Sequence, residues 1–123
     1  MNVVAWIASG LLAAMFLVAG SMKLLKSKEE IVSDHEWAES FPVGLIKFVG
    51  VAEISGAAGL ILPGVLGIET WLVPAAAISL AVLMVGAALI HLRDNEYPAI
   101  AVNLVLLALA LFVAFERIGP EAL

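Results

Sequence analysis

Glu53 is the residue whose type fits its surroundings least. It stands at the midpoint of VGLIKFVGVAEISGAAGLIL, residues 43–62, a stretch apolar enough to cross a bilayer. A carboxylate at that depth costs roughly 2.5–3.5 kcal/mol on insertion scales, so it should face protein or water rather than lipid. Gly50 and Gly56 lie three residues to either side and Ala57 four residues on, so the glutamate shares its helix face with small residues. Small residues let a second helix come close. Three polar residues on other apolar stretches lie toward the same half of the bilayer: Lys23 closing the first, His91 closing the third and Asn103 inside the fourth. Their shared depth suggests a cavity between helices that opens toward the long polar connection, the opposite half being sealed by Leu, Val and Ala.

The chemistry open to such a group is acid–base. Glu53 and His91 could serve as proton donor and acceptor, with Lys23 or Asn103 orienting a carbonyl or epoxide oxygen. A membrane interior with one cation nearby can push the required pKa values apart. The plainer reading of each residue stands beside this one. Glu53 paired with Lys23 is polar glue between helices, Asn103 can be the same, and His91 is an interfacial side chain. Lys47 reads as a boundary residue. Arg93 and Glu96, three apart at a helix junction, read as a turn-stabilising pair that could also border a ligand. Trp6, Trp37 and Trp71 read as anchors at the membrane–water interface.

Composition excludes several classes. The chain has no cysteine, which removes disulfides, thiol relays and thiolate metal sites. Its only histidines are His35, within the long connection, and His91, at the end of the third apolar stretch, so no metal pattern survives. There is no Gly-rich phosphate loop, Ser-His-Asp arrangement or nucleophile motif. A net charge of −5 offers no basic patch for nucleic acid.

The elements that must position these residues are transmembrane helices. Hydrophobic residues make up 63% of the 123, and mean hydropathy is +1.11, well beyond a soluble domain. The expectation is a single all-α domain, residues 1–123, built as a transmembrane four-helix bundle with spans at about 3–25, 43–62, 71–92 and 98–116. The N-terminal MNVVAWIASG carries no Lys or Arg and hence no signal-peptide charge, so the first stretch reads as a retained helix. Residues 27–42 form the one long connection. Its Ile31, His35, Ala38 and Phe41 recur at helical spacing, which fits a short amphipathic surface helix over the cavity mouth as well as an irregular loop. Pro63-Gly64 is expected to stop the second span, Pro74 and Pro98 fall in first turns, and Glu116-Arg117 ends the fourth. No internal repeat is evident. Of the six Lys and Arg, five lie on the side of the long connection and Arg117 alone on the other, which puts the connection in the cytoplasm and both termini outside a cell membrane.

At this point the residues match a known pattern. VAGSMKLL, FPVGLIKFVGVAEISGAAGLILPG, GAALIHLRDNE and NLVLLALALFVAFER, in this order, resemble the DoxX-like family of small four-helix integral membrane proteins. The family's spaced positions fall on Gly20 and Lys23, on Gly50, Glu53 and Gly56, on His91, Arg93 and Glu96, and on Asn103. The resemblance implies a membrane subunit or scaffold, since the family takes its name from a subunit of a membrane thiosulfate:quinone oxidoreductase. Relatives are tied to oxidative-stress complexes and to receptor assembly. Some of the wider group are thiol-redox proteins, a role the missing cysteines put in doubt here. The alternative is an enzyme or carrier for a quinone, terpenoid, polyketide or other lipid-like ligand; a proton-coupled transporter would need a homo-oligomer. Expected partners are the bilayer, a membrane or peripheral protein, or further copies. No resident cofactor is implied beyond a quinone or lipid.

Overall fold

The computed structural model describes residues 2–34 and 36–123. Helix α1 (Asn2–Leu25) is followed by a short α2 (Lys28–Asp34) and a 3₁₀ turn (Glu36–Ser40), then by α3 (Val43–Leu66), α4 (Leu72–Arg93) and α5 (Tyr97–Ile118). The four long helices each hold an 18-residue window of mean hydropathy 1.8 to 2.5, and only about a third of each window is buried within the protein. The remainder is apolar and outward-facing: Val3, Ile7 and Val18 on α1, Phe48 and Val51 on α3, Val82 and Leu89 on α4, Val105 and Phe115 on α5 are all exposed. In water such a surface would aggregate, whereas in acyl chains it is the ordinary exterior of a spanning helix. The chain is an all-helical multi-pass membrane protein.

The helices form a ring, α1 against α3, α3 against α4, α4 against α5 and α5 back against α1. Its apolar core fills the middle and the half nearer the termini. Leu12 and Phe16 of α1, Leu60 of α3, Val73, Leu80 and Met84 of α4, and Val113 of α5 meet there. The long connection is a strap of two helical pieces. Ser27 and Glu30 start α2 with a reciprocal capping box: the Glu30 N–H donates to Ser27 Oγ (3.3 Å), and the Ser27 N–H donates to Glu30 Oε1 (3.3 Å). Ile31 and Ala38 then bury against Ile46 of α3, with Val32 and Phe41 alongside, so the strap is packed onto the bundle by a small core of its own. His35 lies outside the described residues.

Two features depart from expectation. Helix α3 continues through Pro63-Gly64 to Leu66. Pro63 lacks an N–H and forfeits one helical bond, but it sits one turn from the end. There its carbonyl accepts the Gly67 and Ile68 N–H groups, and Gly67 supplies the left-handed cap at φ 68°. The half nearer the termini is also not purely apolar: Glu116 and Arg117 are buried rather than closing α5 at the water boundary.

Candidate functional site

The site begins with two glycines. A Cβ on Gly20 would lie 2.7 Å from the Gly50 carbonyl oxygen and 2.7 Å from the Ile54 side chain, and one on Gly50 would lie 3.0 Å from the Gly20 carbonyl oxygen. Helices α1 and α3 therefore cross at a distance only glycine permits. Lys23 and Glu53 each stand three residues beyond their glycine, on the same face, so the crossing aims their side chains at one another. Lys23 Nζ lies 2.7 Å from Glu53 Oε1, with the two side chains 12% and 4% exposed. Further along α3, Gly56 and Gly59 admit Leu80 and Ala76 of α4 at similarly short range, so α3 presents small residues to both neighbours.

Beside this pair the second lysine has a role that spacing did not reveal. Lys47 Nζ donates to three backbone carbonyls at the end of α1: Lys23 (2.7 Å), Leu24 (3.0 Å) and Lys26 (2.7 Å). The last carbonyls of a helix have no intrahelical donor and carry the negative end of its dipole, so an ammonium placed there satisfies both needs. The only sequence signal would have been a cation near the start of α3, and the long connection hides its adjacency to the end of α1.

The remaining residues divide into separate contacts. His91 Nδ1 lies 3.0 Å from Glu96 Oε1 across the α4–α5 turn. Arg93 does not pair with Glu96: its Nε and Nη2 reach Asp94 Oδ1 (3.0 Å) and Oδ2 (3.3 Å), and its guanidinium stands 5.7 Å from the Phe41 ring of the strap. The turn explains the exchange. The Glu96 N–H donates to the His91 carbonyl at 2.8 Å, and Asn95 takes a left-handed φ of 59°, which carries the glutamate back over the histidine. Asn103 is buried on α5, and its Nδ2 has no partner among the described residues. Shallow, open surface hollows lie elsewhere, along α1 at Leu17, Val18, Ser21, Met22, Leu25 and Lys26, and on the strap at Lys28, Glu29, Val32 and Ser33. Among the described residues no group of His, Asp or Glu is arranged to hold a metal ion.

A family model, described as the DoxX-like family, matches residues 7–113. The chain belongs to the DoxX-like family. No curated protein and no solved structure gives a match. The DoxX-like region thus contains Gly20, Lys23, Lys47, Gly50, Glu53, His91, Glu96 and Asn103. Asn2, Trp6, Glu116 and Arg117 fall outside it.

Proposed function

We propose that this DoxX-like protein is a non-catalytic membrane subunit or scaffold. Its termini lie outside and its strap in the cytoplasm, and its apolar outer faces are offered to lipid and to a membrane partner or further copies. The observation that carries the reading is the closed Lys23–Glu53 contact, 2.7 Å long and shielded on both sides, at a glycine crossing. A carboxylate engaged directly by a lysine and wrapped by packed helices holds the bundle together; an acid–base catalyst must instead meet a substrate. The cation bias toward the strap supports the orientation. Native mass spectrometry of the protein released gently from its membrane tests the reading. A stoichiometric protein partner or a defined oligomer is expected. A monomer that retains a small organic molecule and no protein would refute it.

One observation favours a second reading, an enzyme or carrier for a quinone, terpenoid or polyketide. Asn103 keeps a buried amide nitrogen without an acceptor, in the strap-side half that also holds His91 and Glu96. A ligand oxygen would satisfy that donor. Under this reading, Glu53→Gln leaves the protein folded and abolishes a ligand-induced rise in melting temperature. Under the scaffold reading it lowers the melting temperature and no ligand restores it.

A further inference from the structure

At the end of the bundle away from the strap, the guanidinium of Arg117 is tied down on one side only. Its Nη1 donates to Asn2 Oδ1 (2.7 Å) at the start of α1 and to the Glu121 carbonyl (2.8 Å) of the tail that follows α5. The Trp6 ring covers it at 5.2 Å. Its Nε and Nη2 are buried and have no acceptor, and among the described residues Arg117 forms no ion pair. Those two nitrogens form the side-on fork of a guanidinium, whose parallel N–H groups match two oxygens of one oxyanion. Glu116 does not fill the fork: successive helical residues diverge by about 100°, and its own Oε2 is also without a partner.

We propose that Arg117 is the binding residue of a phosphate site at this end of the bundle, a site held by Asn2 and Trp6 and covered by the tail. A buried guanidinium that forms no ion pair among the described residues carries an uncompensated desolvation cost, and this one stands at the end of a membrane span, at headgroup depth. Phosphate is the oxyanion abundant at that depth. The tail is the cover. The Glu121 N–H donates to the Glu116 carbonyl (2.7 Å), Leu123 reaches Gly64, and the Leu123 carbonyl accepts from Thr70 Oγ1 (3.1 Å). Gly119, Pro120, Ala122 and Leu123 are themselves exposed, so few contacts hold the segment down and it opens locally at small cost. Apart from Gly64 and Thr70, the residues of the site lie outside the family-matched region.

The test uses the full chain in maltoside micelles, which contain no phosphate. Three probes are added separately: phosphatidylglycerol, diacylglycerol with the same acyl chains, and inorganic phosphate. Retention is read by native mass spectrometry and melting by thermal shift. Phosphatidylglycerol should be held and should raise the melting temperature, and diacylglycerol should do neither. Loss of the two charge-assisted bonds in Arg117→Gln should weaken binding by about tenfold, and Arg117→Lys, which keeps the charge without the fork, should lie between. A variant ending at Ile118 should bind more tightly. A response to inorganic phosphate alone would assign the site to a free anion, and a response to phosphatidylglycerol alone to a lipid headgroup; either supports the site. Equal response to phosphatidylglycerol and diacylglycerol, or binding unchanged in Arg117→Gln, overturns it. Should Arg117→Gln fail to fold, hydrogen exchange in the wild-type chain decides: a bound phosphate displaces the tail and speeds exchange of the Glu121 amide, and an unchanged rate with every probe overturns the proposal.

Discussion

Replacing Glu53 by Gln tests most directly what holds the bundle together. At 2.7 Å and an effective dielectric near 20, the gross attraction between Lys23 and Glu53 is about 6 kcal/mol. Much of that offsets the desolvation of two charges, so the pair's net worth is far smaller. Removing one partner leaves the desolvation of the other uncompensated, however, and this typically costs about 3–5 kcal/mol. Lys23, 12% exposed, retains some route to water by extending its stem toward the boundary, which places Glu53→Gln at the lower end, about 3 kcal/mol. Lys23→Met combined with Glu53→Leu removes both charges while roughly keeping volume. It should return to within about 1.5 kcal/mol of the wild type, since volume-conserving apolar swaps cost little. The assay is reversible unfolding in mixed micelles by graded addition of a denaturing detergent, run on the wild type, both single variants and the double. Single losses under about 1 kcal/mol, or a double variant that loses the sum of both singles, would refute the clasp.

Gly20→Ala places a methyl 2.7 Å from the Gly50 carbonyl oxygen, so α1 and α3 must part; the same assay should show a loss of about 1–3 kcal/mol. By contrast, Gly10→Ala and Gly86→Ala meet nothing within 4 Å and should stabilise their helices by up to about 1 kcal/mol, read as an unchanged or raised melting temperature. Lys47→Met strips three carbonyls of their donor and should cost about 2–3 kcal/mol, with faster hydrogen exchange confined to the last turn of α1. Ser27→Ala breaks the capping box and should cost about 1 kcal/mol, seen as faster exchange at the start of α2 while the four long helices keep their protection.

Four spans and an inward-facing Glu53 were legible because each rests on a single strong constraint. Hydrocarbon admits only long apolar helices, and it rejects an unpaired carboxylate. Lys23 as the partner followed from its depth and its charge. The contacts that went unseen depend on backbone geometry that residue types do not encode. Pairing of Glu96 with His91 rather than Arg93 turns on one left-handed residue, Asn95. The role of Lys47 needs the end of α1 to lie beside the start of α3, across a connection whose path no periodicity fixes. Helix α3 passes Pro63 because the break would have come where the helix was ending anyway. Burial of Arg117 was hidden by its place in the sequence: a charge that closes an apolar stretch ordinarily reaches water, and only the return of Asn2 and the tail encloses it.

The distribution of these contacts follows from how the chain joins its helices. Between membrane-embedded helices there is no hydrophobic driving force, so close packing, polar contacts and the connections themselves must hold the pairs together. Helices α4 and α5 are joined through residues 94–96 and make broad contact along their length, largely through apolar side chains. Helices α1 and α3 are separated by residues 26–42, and a longer connection tethers them more weakly. That is the pair given a glycine crossing, an ion pair and a lysine over three carbonyls. If these contacts compensate for the long connection, shortening the strap to a tight turn should reduce the stability lost in Glu53→Gln. If instead Glu53 serves a ligand, the strap's length should leave the effect of the substitution on ligand response unchanged.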